Sequence, residues 1–193
     1  MHEYSCDSGR RDWIYLVSLM MCAVISFVVI YVVDWAIGGV SIIIDFFLFI
    51  VSFGPLSFWV FFTNGLSGIL LKLSGISDCS GVYKGELRTS YDDFKENHPI
   101  TLTIVHKFRE MGISLKTDNS ESCSKTASIH QDGQKTVITY TFENTGSVNV
   151  GLNMHIGTCI ITILNGDVKG MYYTHPDRGR YGEIIAHKEK IVK

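Results

Sequence analysis

Charged residues are distributed unevenly along this 193-residue chain, and that split most restricts what the chain can fold into. Between Trp13 and Leu71 the only charged side chains are two aspartates, whereas the remainder carries a charge every few positions. An uncharged apolar run suits a hydrocarbon environment, and a mixed sequence of about 110 residues is long enough to bury its own core. The sequence therefore predicts a lipid-soluble region over residues 1–77 and a water-soluble domain over residues 78–193.

The first apolar run has the length of a transmembrane helix. Residues 13–33 contain 21 residues without a charge, enough to cross a hydrocarbon core of about 30 Å. Arg10 and Arg11 precede the run, and aromatic residues mark both of its ends. A cleaved signal peptide is the alternative, but the run is longer than a usual signal core and no A-x-A-like site follows it. We therefore predict a membrane span over residues 13–33.

A second apolar stretch covers residues 40–71, after a short turn that lacks Lys and Arg. As one straight helix it would be about 48 Å long, which exceeds the bilayer core, and Gly54-Pro55 offers a kink. We predict a second span over residues 40–62 and a juxtamembrane amphipathic segment over residues 65–77, so that the two spans form a helical hairpin. A third span is the competing interpretation.

The basic residues also predict an orientation. Arg10 and Arg11 flank the first span, Lys72 follows the second, and the loop between the spans has no basic residue. Both termini are therefore predicted to face the cytoplasm, which makes the second domain cytosolic. Asp45 would lie inside the apolar zone, where a carboxylate is unfavourable. We expect Asp45 to act in membrane assembly. The alternative is that its carboxyl group is protonated, or that it lies shallow enough for the side chain to reach the interface.

After residue 80 the apolar period changes from helical spacing to two, which is typical of half-buried strands. Asp132-Gly133 and Asn165-Gly166 stand between alternating runs and are strong hairpin signals. The predicted fold is an eight-stranded antiparallel β-barrel, lipocalin-like, with room inside for side chains or one small ligand. Its strands are predicted near residues 81–89, 100–107, 110–118, 122–131, 135–143, 154–164, 168–174 and 180–189.

Five small hydroxyl residues recur at every second position from Ser120 to Ser128. They fill little volume and offer many hydrogen-bond partners, so an inward face would line a wet pocket. A solvated outer face of an edge strand is the alternative. The residues are Ser120, Ser122, Ser124, Thr126 and Ser128.

Aromatic and basic residues in the same domain are candidates for holding an anionic, base-containing ligand. Stacking on bases suits tyrosine, and charge-assisted hydrogen bonds to phosphate suit arginine. For each of these residues, ordinary packing or a satisfied polar position is the alternative role. The candidates are Tyr83, Tyr140, Tyr172, Tyr173, Tyr181, Lys107, Arg109, Arg178, Arg180, His106 and His155.

Several function classes are disfavoured by composition. From Gly81 onward the chain has 14 Lys and Arg and 13 Asp and Glu, without the basic excess of a protein that binds long nucleic acids. The five cysteines contain no C-x-x-C pair, which argues against a zinc site. The sequence has no G-x-S-x-G elbow and no phosphate-binding glycine loop. We therefore expect neither enzymatic activity nor a cofactor or metal.

The whole chain resembles the two-transmembrane β-barrel effectors of cyclic-oligonucleotide-based antiphage signalling systems (CBASS), STING-like receptors that act with a CD-NTase. The order and spacing of several segments, together with the helical anchor, make this resemblance specific. The segments are Gly81 to Leu87 (GVYKGEL) leading to Thr89-Ser90-Tyr91, His106 to Leu115 (HKFREMGISL), the Ser120–Ser124 run, His155-Ile156-Gly157-Thr158, and Gly170 to Thr174 (GMYYT) followed by Arg178 to Ile184 (RGRYGEI).

The resemblance implies a receptor and an effector in one chain. A cyclic dinucleotide from a cognate CD-NTase would bind the barrel, with Thr89 and Ser90 added to the candidates above. Binding would promote oligomerisation, and the assembled helices would disrupt the bacterial inner membrane and kill the infected cell. Such coupling requires the ligand to favour the assembled state by differential affinity.

Two other hypotheses remain open at this stage. The first is a membrane-anchored, lipocalin-like barrel that binds a lipid or metabolite without disrupting the membrane. The second is a membrane-bound enzyme with an unfamiliar site. An inner wall lined by hydroxyls and tyrosines favours the receptor, and an aliphatic lining favours the carrier.

Overall fold

A computed structural model of the protein describes residues 1–37, 59, 63–145, 155–175 and 179–189. The chain divides into two compact units, each described separately below. One unit combines Met1–Asp7 with Ile76–Lys193, and the other comprises Ser8–Gly75. The first seven residues therefore belong with the C-terminal domain, while the sequence-based boundary at residue 77 stays a prediction.

In the unit Ser8–Gly75, the helices whose bounds the structure describes are α1 (Gly9–Ile37) and α2 (Ser67–Ser74). Gly75 ends α2 in the left-handed region with φ of 74°, and its amide donates to the carbonyl of Lys72. Side chains of α1 such as Trp13 and Val24 are exposed.

Neither helix, within the part of the chain that the structure describes, has both the length and the apolar content of a membrane span. The helical hairpin predicted from the sequence is thus not confirmed. Nearly all of the predicted second span, residues 40–62, lies outside the described residues, as does Asp45. Helix α2 lies within residues 65–77, and the juxtamembrane amphipathic role of that segment stays a prediction.

Over its described residues the other unit is an all-β sheet of nine strands, in which alternating inward residues build the core. Eight strands match the alternating runs of the sequence. The strands are β1 (His2–Cys6), β2 (Gly81–Thr89), β3 (His98–His106), β4 (Glu110–Lys116), β5 (Glu121–Asp132), β6 (Lys135–Asn144), β7 (His155–Leu164), β8 (Asp167–Thr174) and β9 (Tyr181–Lys188).

The strand count of eight is not confirmed, because β1 adds a ninth strand. β1 runs antiparallel to β4 and parallel to β5 at the place where those two strands diverge. Only Tyr4 of this strand is buried, at 5% exposure. A five-residue segment with one core side chain has too little alternation to be recognised from its sequence.

Successive strands from β2 to β9 pair as antiparallel neighbours, and β9 pairs back onto β2. The sheet therefore closes on itself as a barrel. At the β7–β8 turn Asn165 and Gly166 both have positive φ, as the predicted hairpin requires. The β5–β6 turn consists of Gly133 and Gln134, because Asp132 itself pairs with Lys135.

The two ends of the barrel differ in how they are filled. At one end, here called the closed end, the interior is packed with apolar side chains around Phe108, Met111 and Tyr83. Tyr4 belongs to this packing, since its hydroxyl donates to the carbonyl of Phe108 at 3.1 Å and contacts Nε2 of His106 at 3.1 Å. At the other end, the open end, the strand termini surround a cavity.

Candidate functional site

The cavity at the open end has a volume of about 320 Å³, within the range of small-molecule sites. Its wall is built by strands β2 to β9 and by the loops that connect them at this end. The lining residues are Leu87, Thr89, Tyr91, His98, Pro99, Leu115, Thr117, Asp118, Asn119, Ser120, Ser122, Tyr140, Phe142, Asn144, His155, Cys159, Tyr172, Thr174, Arg180 and Ile184.

Aromatic rings form one side of the cavity. The ring of Phe142 lies 6.4 Å from that of Tyr140, 6.4 Å from that of Tyr172 and 6.3 Å from that of His155. Three of these residues come from the inward faces of neighbouring strands β6 and β7. Such a cluster offers flat apolar faces to a heteroaromatic ligand.

Tyrosine hydroxyls in the wall stay neutral and act as hydrogen-bonding groups. Desolvation raises the pKa of Tyr172, although a hydrogen bond from its hydroxyl to Thr89 Oγ1 at 2.8 Å lowers it in part. Burial and then the neighbouring Cys159 thiol hold the pKa of Tyr140 well above its usual value. Burial likewise raises the pKa of Cys159 to about 11, against a hydrogen bond with Tyr140. At neutral pH these groups carry no charge.

Arg180 is the one Lys or Arg side chain among the described residues that line the cavity. Its guanidinium lies 4.8 Å from the centroid of the Tyr91 ring, and Nη1 donates to the carbonyl of Ser90 at 3.3 Å. Its backbone is held by Thr174, whose hydroxyl accepts from the Arg180 amide at 3.0 Å. The guanidinium is thereby positioned at the rim by contacts that leave other donors for a ligand.

The loop between β2 and β3 is shaped by Asp92. Its carboxylate accepts hydrogen bonds from the amides of Phe94 (3.1 Å) and Glu96 (3.2 Å) and pairs with His98 at 3.0 Å. Desolvation acts to raise the pKa of Asp92, but these hydrogen bonds outweigh it and lower the pKa. Asp93 and Phe94 adopt positive φ, so the chain turns sharply here.

A metal was not expected, and one group of candidate ligands lies in this loop. Asp92, Glu96 and His98 place their ligand atoms within 4.8 Å of one another. The pairing of Asp92 with His98 accounts for this arrangement without a cation. We therefore assign it a role in loop structure.

The hydroxyl row is split between the two faces of β5. A β-bulge between Ser124 and Thr126 shifts the register, so the inward positions after it are Ala127 and Ile129. Ser122 is buried and, with Ser120, lines the cavity. The prediction that all five hydroxyls share one face is wrong, because a bulge reverses the alternation beyond it.

The structure brings seven of the predicted ligand residues together at the cavity. They are Thr89, Ser120, Ser122, Tyr140, His155, Tyr172 and Arg180.

The other candidates lie elsewhere, and Arg178 is outside the described residues. Tyr83 and His106 are buried at the closed end, where the Tyr83 hydroxyl donates to the carbonyl of Cys79. Arg109 pairs with Glu3 at 3.2 Å, and Ser124 contacts Nε2 of His2 at 2.7 Å.

Two further candidates lie next to the cavity without lining it. Tyr173 points to the outer face of the barrel. Ser90 uses its hydroxyl to accept from the Tyr181 amide at 3.1 Å.

Several lining residues were missed by the sequence reasoning. Phe142 and Asn144 lie two and four positions after Tyr140 on β6, so strand alternation would have placed all three on one face. Tyr91, His98, Asp118 and Asn119 lie at or next to loops of the open end. Only knowledge of which loops share an end would have identified them.

Comparison with known families gives one match. Residues 74–188 match the family described as Cap15, cyclic dinucleotide receptor domain. The matched segment includes all the cavity-lining residues. No curated protein matches the chain.

Proposed function

The chain belongs to the Cap15 cyclic dinucleotide receptor family, and on this premise we propose that its open-end cavity binds a cyclic dinucleotide made by a cognate CD-NTase. The observation that carries the proposal is the composition of the cavity wall: aromatic faces, neutral hydrogen-bonding groups and one positioned arginine. Each matches a part of the ligand, which contains two flat bases, two riboses and two phosphates.

The charges of the cavity indicate how the phosphates would be held. Among the lining residues that the structure describes, Arg180 supplies a fixed positive charge and Asp118 supplies a carboxylate. Because this balance offers little net attraction, most phosphate and ribose contacts would come from neutral donors such as Ser122, Asn144 and Thr89. Hydrogen bonds to an ionised group contribute about 1.5–3 kcal/mol each, so one arginine has a measurable effect.

For the effector half, we propose that the Ser8–Gly75 unit anchors the chain in the bacterial inner membrane with both termini in the cytoplasm. Support comes from the uncharged run over residues 13–33 and from exposed apolar side chains on α1, such as Trp13, Met20 and Val24. Ligand-driven oligomerisation would then disrupt the membrane, with Asp45 acting in helix assembly. In this proposal the protein is a non-enzymatic antiphage effector.

The binding test uses the full chain in detergent and measures its melting temperature with a panel of cyclic dinucleotides. Linear dinucleotides with the same bases are the matched ligand controls. A ligand present at about 100 times its Kd raises the free energy of unfolding of the protein by about 2.7 kcal/mol, which corresponds to a rise of several degrees in Tm. We expect Arg180→Gln to reduce this rise and Arg109→Gln, which alters an arginine outside the cavity, to retain it.

The carrier hypothesis has one observation in its favour, because Leu87, Leu115 and Ile184 also line the cavity. Fatty acids and phospholipids therefore belong in the same thermal panel. A rise in Tm with a lipid and with none of the cyclic dinucleotides would overturn the receptor proposal.

A further inference from the structure

The outer wall of the barrel has an apolar region where polar residues are expected. Outward side chains of a water-facing barrel strand are usually polar, since inward and outward positions alternate. On β7, β8 and β9 six outward positions instead carry large apolar side chains with exposures from 37% to 57%. This outer patch consists of Ile156, Ile160, Met171, Tyr173, Tyr181 and Ile185.

Strand register makes most of the outer patch continuous. Ile160 is directly opposite Met171, and Tyr173 is directly opposite Tyr181. On the other side of the barrel the outward residues of β5 include Lys125, Thr126 and Ser128, all polar. Exposed large apolar side chains are therefore concentrated on β7 to β9, with Val82 and Val105 the only ones on the other described strands, and such a concentration is typical of an interaction site.

Two opposite charges accompany the outer patch. Lys169 lies two residues before Met171 on the same face of β8, and Glu183 lies opposite Met171 on β9. Neither Lys169 nor Glu183 forms an ion pair within the described ranges. A surface that carries an apolar centre and one charge of each sign is complementary to a copy of itself related by a two-fold axis.

We propose that the outer patch is a contact between two copies of this chain, with Lys169 of each copy facing Glu183 of the other. The inference deepens the oligomerisation in the proposed function and rests on it. Tyrosine and other aromatic anchors are common at the centre of such contacts.

The size of the outer patch sets the strength of the contact. Apolar patches on single proteins are typically about 300–600 Å², whereas a standard interface buries about 800 Å² of each partner. The area of the six partly exposed side chains in the outer patch is closer to the smaller value. The contact therefore forms between copies that a second interaction, such as a shared membrane, already concentrates.

The outer patch is physically connected to the cavity. Tyr172 lines the cavity between the outward residues Met171 and Tyr173 on β8. Arg180 immediately precedes Tyr181, whose ring lies 5.6 Å from that of Phe94. A ligand that draws Arg180 away from the neighbouring loop would therefore alter the surroundings of Tyr181, which makes the contact responsive to the ligand.

Charge reversal tests the proposal on the full chain in detergent, with self-association measured by sedimentation over a range of protein concentrations. We expect Lys169→Glu alone and Glu183→Lys alone each to weaken self-association roughly tenfold or more, because like charges then face each other. An equal mixture of the two variants should associate as the unaltered chain does, since each mixed pair restores both opposite-charge contacts. Met171→Ser should weaken association without rescue by any partner.

The outcomes separate this inference from the binding proposal. The variants lie outside the cavity, so they should keep the rise in Tm that a cyclic dinucleotide produces. Unchanged self-association of both single variants, or a mixture no better than either variant alone, overturns the contact. Loss of binding to phospholipid vesicles with unchanged self-association also overturns it and assigns the surface to lipid. If no cyclic dinucleotide raises Tm, the receptor proposal fails. Self-association of the charge-reversal variants can still be compared at high protein concentration without ligand, so the contact between copies is tested independently.

Discussion

The closed and open ends of the barrel are built from the same eight paired strands, yet one is packed and the other is hollow. At the closed end the alternating positions carry large apolar side chains, and β1 adds Tyr4 to seal them. At the open end the same alternation places Thr89, Ser122 and Asn144 inside, where they are buried but face a cavity. The comparison shows that closure of the sheet does not decide whether a barrel can hold a ligand. The residue type at inward positions does.

This difference predicts where stability and binding reside. The closed end should supply most of the free energy of unfolding, because burial of apolar surface is the main stabilising contribution. The open end should supply affinity, since its polar and aromatic side chains face the cavity. Substitutions at the two ends should therefore have different effects on unfolding and on binding.

The largest expected effect is on stability, from Tyr4→Ala at the closed end. Removing a buried aromatic side chain destabilises by about 3–5 kcal/mol, and here the Phe108 carbonyl and His106 also lose a hydrogen-bond partner. Denaturant unfolding of the full chain, followed by the β signal in circular dichroism, measures the change. Tyr173→Ala, on the outer wall, is the matched control and should change stability by less than about 1 kcal/mol. Equal losses in both variants would mean that β1 does not seal this end.

An intermediate effect is expected from Gly182→Ala, which should lower both the free energy of unfolding and the affinity for the ligand. A Cβ at Gly182 would clash with the carbonyl of Arg88 and lie 2.5 Å from the ring of Tyr172. Overpacking of this kind costs about 1–3 kcal/mol, and the displaced Tyr172 ring should reduce ligand affinity.

The control is Gly170→Ala, whose Cβ would clash in the same way with the carbonyl of Ile160 but whose side chain would not line the cavity. We expect a similar loss of stability with affinity retained, as measured by titration calorimetry below the melting temperature. Retained affinity in Gly182→Ala would exclude Tyr172 from the ligand contacts.

The smallest effect distinguishes the two halves of the hydroxyl row. Ser122→Ala should weaken ligand binding by about 0.5–1.5 kcal/mol, or roughly two- to tenfold, because its hydroxyl lines the cavity. Ser128→Ala, beyond the bulge, should leave affinity unchanged. Titration of both variants with the same nucleotide makes the comparison. If both lose affinity equally, the row acts as one face and the bulge is not where the structure places it.

Much of the barrel was predictable because strand alternation is a local signal. Eight strands were located from period two, and the Asn165-Gly166 turn from a dipeptide that tolerates positive φ. β1 was missed because its single buried residue, Tyr4, gives no periodicity. Its place depends on pairing with β4 and β5, which are more than a hundred residues away in sequence.

The candidate site was only partly predictable for a similar reason. Individual residues, such as Tyr140 on β6 and Tyr172 on β8, could be selected as candidates from their residue type. The end of the barrel to which each belongs depends on the pairing of distant strands. Tyr83 and Arg109 were therefore grouped with residues that line the cavity, and the bulge after Ser124 reversed the face that the alternation predicted.

Hydrogen exchange of the full chain, with and without the cyclic dinucleotide that raises Tm most, tests the central claim most directly. The account predicts slower exchange of amides in residues 89–98 and 117–122 at the open end, while residues 102–111 at the closed end change little. Protection confined to the closed end or to the Ser8–Gly75 unit would contradict it, because the ligand would then bind away from the open-end cavity.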